Sequence, residues 1–368
     1  MRSSVKIGSV MGIPIRLHIT FLLILPFLAY AFAVAVPPFG FGSVPGAALR
    51  YALGTIAAIL LFASVLLHEI GHSYVAKKNG IRISDITLYL FGGVSAMEDI
   101  PRNPRVEMPM ALTGPFISIV LGVLLAIVYY AWAGIRADSI WGTMLFLLAY
   151  LNLALGIFNL LPGFPMDGGR VLRAFLAMRM PYIKATEYAV AVGKIFAILL
   201  GFLGLLMGMH GLWLIIIAFF IYIAGTGEEQ STVVSLELEG IKVDDIMTRD
   251  VETIDASASI AALLDLIFSR KHMGYPVMEN GRMAGIVTMS DALKVPKEAR
   301  EATPVKSVMT RDVLTVSLGE NAFAALQKMS KNRVGRLVVT ENGKIAGIIS
   351  RTDLVRSLEL RKAIGPGT

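Results

Sequence analysis

The segment from His68 to His72, His-Glu-Ile-Gly-His, has the residue types and spacing that most directly indicate chemistry. On a helix, residues i and i+4 lie on one face, so both imidazoles can bind one metal ion. Glu69 is offset by one residue and can act as a general base on a water molecule beside that ion. Because the segment lies near the end of an apolar span, where polar groups are costly, it predicts a catalytic zinc site.

A catalytic zinc site needs a third protein ligand. The chain has no cysteine, so that ligand must supply nitrogen or oxygen. Asp167 is the best candidate, because it follows an apolar span within the proline- and glycine-rich segment Asn159-Leu-Leu-Pro-Gly-Phe-Pro-Met-Asp-Gly-Gly-Arg170. Irregular backbone at membrane depth is tolerated where it is buried in protein or lines a cavity. From spacing alone, an aspartate in an exposed loop is an equal alternative.

The elements that must position these residues are membrane helices. Hydrophobic residues make up 55% of the 368 residues and charged residues only 17%, whereas soluble domains have about a quarter charged residues. The apolar excess ends near residue 225. Since about 20 apolar residues cross a bilayer as a helix, we expect six spans, at about 18–36, 51–76, 108–133, 140–161, 188–207 and 211–225.

The distribution of positive charge predicts how these spans are oriented. With the N-terminus inside, the inside segments hold twelve Lys and Arg residues and the outside segments hold two. Such a bias marks the cytoplasmic side. We therefore expect a multi-pass protein of the cell membrane with both termini cytoplasmic. The net charge of +7 is interpreted as this topological signal, and no nucleic-acid partner is expected.

An internal repeat follows the apolar region. Residues 241–291 align with 303–353 at an offset of 62 without a gap, and 17 of the 51 paired positions are identical. Each copy has an apolar-periodic helix, two strands joined by Asn-Gly, and a second helix. Such similarity indicates two copies of one unit that pack together. The expected domains are a membrane domain 1–227, a linker 228–240, and repeats 241–303 and 304–368.

Together these motifs resemble the site-2 protease family of intramembrane metalloproteases. The resemblance rests on H-E-I-G-H followed, after about 90 residues, by N-x-x-P-x-x-P-x-D-G-G-R. The spans and the repeats resemble members that carry two CBS domains. The resemblance implies an α-helical polytopic membrane protein followed by an α/β tandem CBS pair. It also implies a zinc endopeptidase that cleaves single-pass membrane proteins within the lipid bilayer.

The resemblance assigns roles residue by residue. The implied zinc ligands and catalytic base are His68, His72, Asp167 and Glu69. Asn159 matches the asparagine thought to hold the substrate or the developing oxyanion. The segment Phe91-Gly-Gly-Val94 resembles the strand against which an unwound substrate pairs. Many members have an asparagine near Ser118; the serine either replaces that polar contact or is a small helix-packing residue, and we favour packing. His18 is interpreted as an interfacial residue rather than part of a water path.

Each repeat ends in Gly-apolar-apolar-[Ser/Thr]-x-x-Asp. This resembles the CBS motif, in which the hydroxyl faces a phosphate and the aspartate bonds a ribose. The matching residues are Thr288, Asp291, Ser350 and Asp353. The resemblance implies two comparable clefts that bind an adenine nucleotide and regulate the protease. A pair that binds nothing and serves homo-oligomerisation is the alternative.

Two other functions fit part of the sequence. A CBS-regulated transporter or metal-ion carrier would bind its ion through the same histidines. That function gives no reason for Glu69 beside the first histidine, or for a separate third ligand. Another class of membrane zinc protease takes its third ligand from a glutamate on a later helix, and no comparable segment stands out on the later spans.

Overall fold

The computed structural model describes residues 4–89, 92–97, 102–132 and 139–364. Phe91 of the expected substrate strand and two basic residues counted for topology, Arg2 and Arg136, lie outside the described residues. The chain forms two compact units, Met1–Thr232 and Val233–Thr368. The first unit and the helix that leaves it comprise β1 (Ser4–Val10), β2 (Ile13–His18), α1 (Phe21–Val34), α2 (Ala47–Lys78), β3 (Ile83–Tyr89), β4 (Gly92–Met97), α3 (Pro104–Trp132), α4 (Ile140–Asn159), α5 (Asp167–Ala177), α6 (Tyr182–Leu206) and α7 (Leu212–Glu237).

The described residues contain five helices that are long and apolar enough to cross a membrane: α2, α3, α4, α6 and the segment Gly208–Glu237. The first of the six expected spans is instead the 14-residue helix α1, which extends only about 21 Å. It is short because the chain is still a strand at His18 and reaches two prolines, Pro37 and Pro38, soon after Val34. Large apolar side chains on the outer faces of α6 and α7 are exposed, as expected for lipid contact.

Small residues let the membrane helices approach closely. Helix association in lipid depends on close packing, since lipid tails are as apolar as the side chains. A Cβ at Gly156 of α4 would lie 2.9 Å from the Pro115 carbonyl of α3. A Cβ at Gly71 of α2 would lie 2.5 Å from Ile117 of α3. The first contact brings α4 against α3, and the second brings α2, which carries both histidines, against α3.

The strands of the first unit form one sheet in the order β1-β2-β3-β4. β2 and β3 are parallel, whereas β1–β2 and β3–β4 are antiparallel. Among the described strands, β4 pairs only with β3, so its other edge is unpaired. β4 contacts α2 through Ser95, which brings this edge strand beside the H-E-I-G-H segment.

The second unit contains the two repeats. Its elements are α8 (Val243–Ile246), β5 (Ile254–Asp255), α9 (Ile260–Arg270), β6 (Gly274–Glu279), β7 (Arg282–Thr288), α10 (Met289–Ala292), β8 (Thr315–Ser317), α11 (Ala322–Lys331), β9 (Arg336–Glu341), β10 (Lys344–Ser350) and α12 (Arg351–Ile364). Each repeat has a three-stranded sheet whose first pair is parallel and whose second pair is antiparallel. Asn280 and Asn342 have positive φ, as the predicted Asn-Gly turns require. The expected linker 228–240 is helical as far as Glu237, the end of α7.

Candidate active site

His68 and His72 lie one turn apart on α2 and are 4% and 7% exposed. The Nδ1 atom of His72 lies 2.7 Å from the carbonyl oxygen of Met110 on α3. A carbonyl oxygen only accepts, so His72 donates from Nδ1, which leaves Nε2 of the neutral ring to bind a metal ion. The Nδ1 atom of His68 lies 2.9 Å from Ser118 Oγ. Both rings therefore turn Nε2 toward a common point, with the other nitrogen held by α3.

Asp167 is the first residue of α5 and meets these two nitrogens. Its Oδ2 lies 3.1 Å from His68 Nε2 and 3.1 Å from His72 Nε2. The two glycines that follow allow the preceding loop to fold onto the start of α5. A Cβ at Gly168 would lie 2.3 Å from the Leu161 carbonyl, and one at Gly169 would lie 2.4 Å from the Phe164 nitrogen.

The three residues fit a zinc ion. One ligand atom from each lies within 4.8 Å of the others. Two imidazole nitrogens and a carboxylate oxygen form a common ligand set of catalytic zinc, which keeps a further position open. Gly114 of α3 provides the space: a Cβ there would lie 2.2 Å from His72 Nε2 and 2.6 Å from His68 Nε2. Any larger residue at this position would therefore fill the volume that both nitrogens face.

Glu69 is held by β4. Its Oε2 accepts a hydrogen bond of 2.8 Å from Ser95 Oγ, and Ser95 Oγ lies 3.1 Å from Ser73 Oγ. Gly93 lets the strand approach, because a Cβ there would lie 2.4 Å from Glu69 Cγ. The carboxylate is thus fixed beside the two histidines by the edge strand of the sheet.

The sequence suggested roles for three further polar residues, Ser118, Asn159 and His18, and the structure gives each a different partner. Ser118 Oγ lies 2.9 Å from His68 Nδ1, because its position on α3 turns it toward α2, and this contact favours the polar role over packing. Asn159 donates from Nδ2 to the Leu155 carbonyl one turn back in α4, at 2.9 Å. His18 lies 2.9 Å from Thr20 Oγ1 and packs beside the Tyr89 ring. Ser118 therefore contacts one candidate ligand, His68, whereas the described hydrogen bonds of Asn159 and His18 go to other residues.

A buried cluster of charged residues anchors the helix that carries Asp167. Arg173 of α5 donates to Glu107 of α3 through Nε at 2.8 Å, and also through Nη2. Its Nη1 lies 3.1 Å from Glu228 Oε1 of α7. Tyr182 of α6 donates to the second oxygen of Glu107, at 3.1 Å. Arg173 also lies over the Phe164 ring, 4.6 Å from its centre. Sequence reasoning missed this cluster, although an acidic residue at the start of an apolar span was a signal.

The four residues predicted in the repeats form two matching hydrogen-bonded pairs. Thr288 donates from Oγ1 to Asp291 Oδ2 at 2.7 Å, and Ser350 donates to Asp353 Oδ2 at 2.7 Å. Lys294 donates to the other oxygen of Asp291. Burial opposes ionisation of Asp291, but the hydrogen bonds from Lys294 and Thr288 outweigh it and lower its pKa. Each hydroxyl is therefore oriented by the aspartate of its own motif.

The fold and the site together define a membrane metalloprotease of the H-E-x-x-H type. Peptidase family M50 matches residues 56–135 and 131–200, and CBS domains match residues 243–298 and 305–360. Zinc metalloprotease MJ0392 of Methanocaldococcus jannaschii is 38% identical over 98% of this chain and 97% of its own length. Rip3 of Mycobacterium tuberculosis is 31% identical over 100% of this chain and 95% of its own. The chain belongs to the M50, or site-2 protease, family of zinc metalloproteases and carries a tandem CBS pair.

One solved structure, the site-2 protease from Methanocaldococcus jannaschii, is 38% identical to this chain. It covers 61% of this chain and 95% of its own, with a TM-score of 0.46. The predicted family, the helical membrane fold with a CBS pair, the zinc requirement and the intramembrane protease activity are confirmed by the family match and the curated relatives. The metal-ion carrier considered as an alternative is not supported, since the relative that matches 98% of this chain at 38% identity is a zinc metalloprotease.

Proposed function

We propose that His68, His72 and Asp167 are the zinc ligands of this protease and that Glu69 is its catalytic base. The observation that carries this proposal is the convergence of both Nε2 atoms and Asp167 Oδ2 on the space beside Gly114. When bound there, zinc would polarise the scissile carbonyl and favour attack by water.

The remaining steps fall to the chain's own residues. Ser95 occupies Oε2 of Glu69 and leaves Oε1 to accept the proton of the attacking water. Glu69 would then pass that proton to the leaving amide nitrogen. Asn159 would hold the substrate carbonyl, and for this its amide would exchange the bond to Leu155 for one to the substrate. Glu69 on α2 would thus transfer the proton, and Asn159 on α4 would bind the substrate carbonyl.

The substrate class that fits this site is a transmembrane segment of a single-pass membrane protein. A helical segment shields its carbonyls in its own hydrogen bonds, so it must unwind before cleavage. The unpaired edge of β4 offers backbone groups to an extended segment. Because Ser95 of β4 also holds Glu69, a segment added to this edge would run beside the catalytic base.

The topology and domain limits are part of the same proposal. The bias of basic residues supports a multi-pass protein of the cell membrane with both termini cytoplasmic. The membrane domain would comprise residues 1–227, followed by a connecting segment 228–240 and CBS repeats 241–303 and 304–368. The CBS pair would then face the cytoplasm, where nucleotides are abundant.

Regulation by an adenine nucleotide is the role proposed for the CBS pair. The paired motifs Thr288–Asp291 and Ser350–Asp353 support it, because their geometry is the same in both repeats. Coupling between two sites is typically worth 1–3 kcal/mol and would change cleavage by several-fold to about a hundredfold. Homo-oligomerisation through the same pair is the outcome proposed if nucleotides do not bind.

Cleavage of single-pass membrane proteins in proteoliposomes tests the proposal. A library of such proteins is incubated with the wild-type enzyme and with Glu69→Gln, and zinc is measured in both. We expect fragments only with the wild type and equal zinc in the two proteins. Full cleavage by Glu69→Gln would remove Glu69 from the mechanism, and loss of zinc would make it a ligand.

A further inference from the structure

The hairpin of β1 and β2 places two cations directly opposite each other. Lys6 of β1 is the register partner of Arg16 of β2. Side chains at such opposed positions project to the same face of a sheet and lie close together. Neither cation forms an ion pair with a carboxylate of the described residues. Like charges directly opposite each other destabilise a strand pair, and an anion bound beside both would relieve this repulsion.

The face that carries these cations is turned away from the helices. Side chains alternate along a strand, and Leu17, the next residue after Arg16, packs against the apolar cluster that contains Phe62 of α2. Thr87 of β3 is the register partner of Arg16 and donates to Asp85 Oδ2 at 2.6 Å. The acid of this face therefore already accepts a hydrogen bond from its own strand.

The hairpin also exposes apolar side chains where the chain enters the membrane. β2 ends at His18 and α1 begins at Phe21. Leu23 of α1 is 71% exposed, and Val5 and Ile7, on either side of Lys6, are 69% and 56% exposed. Exposed apolar groups beside unpaired cations fit the boundary between the acyl chains and the phosphates of a bilayer.

We propose that the β1–β2 hairpin is a docking surface for anionic phospholipid, with lipid phosphate on Lys6 and Arg16 and acyl chains against Val5 and Ile7. This inference rests on the proposed topology, which puts the hairpin at the cytoplasmic leaflet, and it names the class of lipid bound there. A zwitterionic lipid carries its own cation near the phosphate, so it compensates the two positive charges less well. An acidic protein segment would match the charge but gives no reason for the exposed Val5 and Ile7.

Two routes connect this hairpin to the proposed catalytic base. Lys77, near the end of α2, donates from Nζ to the carbonyl of Met11 in the hairpin turn at 2.6 Å. Within the sheet, β2 pairs with β3 and β3 pairs with β4, and Ser95 of β4 donates to Glu69. A lipid that holds the hairpin thereby supports the strand that fixes Glu69, so anionic lipid should raise the rate of cleavage.

Native mass spectrometry of the full-length protein in neutral detergent tests the docking surface. The protein is titrated separately with phosphatidylglycerol and with phosphatidylcholine of the same acyl chains. We expect the wild type to prefer phosphatidylglycerol by about thirtyfold, Lys6→Gln by about sixfold, and Lys6→Gln with Arg16→Gln not at all, as expected for two basic groups at an anionic membrane surface. Lys184→Gln is the matched control, because this exposed cation already pairs with Glu187. It should keep the full preference.

The unfolding temperature in the same detergent separates lipid binding from a structural role. Lys6 is exposed, so its variant should fold even if Arg16→Gln does not. Removing one of two opposed cations should leave the unfolding temperature of Lys6→Gln unchanged or higher. A lower temperature would show that Lys6 stabilises the hairpin itself and would overturn the premise of an unpaired charge.

Cleavage in nanodiscs with and without phosphatidylglycerol tests the connection to Glu69. The wild type should cleave faster with this lipid, whereas the double variant should cleave at one rate in both. Equal retention of the two lipids by the wild type, or an undiminished preference in the double variant, would overturn the docking surface. Lipid retention is measured without substrate or an oriented membrane, so it stands apart from the protease and topology proposals, and Glu69→Gln tests the former.

Discussion

Replacing Arg173 with leucine should loosen the helix that carries Asp167. The Arg173 and Glu107 side chains are 3% and 0% exposed. Removal of the guanidinium therefore leaves the buried Glu107 carboxylate with Tyr182 as its one remaining hydrogen-bond partner among the described residues. Breaking a buried pair in this way costs about 3–5 kcal/mol. The Glu228 side chain is 30% exposed and can be solvated, so most of the loss should come from Glu107. We expect lower stability and a lower zinc content, because Asp167 begins the same helix.

The double variant Arg173→Leu with Glu107→Leu separates the buried charge from loss of packing. Replacing both partners of a buried pair by apolar residues is often close to neutral. The double variant should therefore recover most of the stability and zinc that Arg173→Leu loses. Denaturant unfolding in micelles and metal analysis measure the two quantities. Lys184→Leu, which removes an exposed pair with Glu187, serves as the control and should change neither. Equal losses in the single and double variants, or full zinc in Arg173→Leu, would refute the reasoning.

Four further outcomes are expected from metal analysis and cleavage assays. Glu69→Gln should keep zinc and lose cleavage, because the ligands survive and the base does not; full activity would exclude Glu69. Asp167→Ala should lower zinc content whereas Asn159→Ala should keep zinc and slow turnover, and equal zinc in wild type and Asp167→Ala would contradict the ligand assignment. Ser95→Ala should lower kcat with zinc unchanged, because Glu69 loses its 2.8 Å hydrogen bond. Ser118→Ala should weaken metal affinity by about tenfold to a hundredfold, as loss of a partner to a ligating histidine does. Unchanged affinity would show that the contact between Ser118 and His68 does not support the metal site.

The main site could be predicted because helix geometry fixes the relation between His68 and His72. Spacing alone did not decide whether Asp167 is a zinc ligand or an exposed loop residue, and the family resemblance favoured the ligand. The partners of these residues could not be predicted, because they lie on other helices. Ser118 is separated from His68 by 50 residues, and only the orientation of α3 toward α2 decides whether its hydroxyl meets a ring nitrogen or packs.

The charged cluster and the short first helix show two further limits of sequence reasoning. Arg173 and Glu107 are 66 residues apart, and hydrophobic periodicity does not show which buried carboxylate pairs with which arginine. The first apolar run is long enough to cross a membrane as a helix. Hydropathy alone does not show that His18, at its start, belongs to strand β2 and pairs with β1. The fold of the repeats was easier to predict, because the constant offset of 62 residues aligns each position of one copy with a position of the other.

The continuity of α7 has a consequence for how this protein can be divided. The helix runs from Leu212 to Glu237 across the limit between the two units. A truncation before Glu228 would remove a partner of Arg173, whereas a fragment that starts after Glu237 would lack Val234, which packs against Leu238 in the core of the second repeat. Separate expression of either part therefore requires residues 228–238 in both fragments. For the same reason, exchange of the CBS pair between relatives should succeed only when residues 228–238 are exchanged with it.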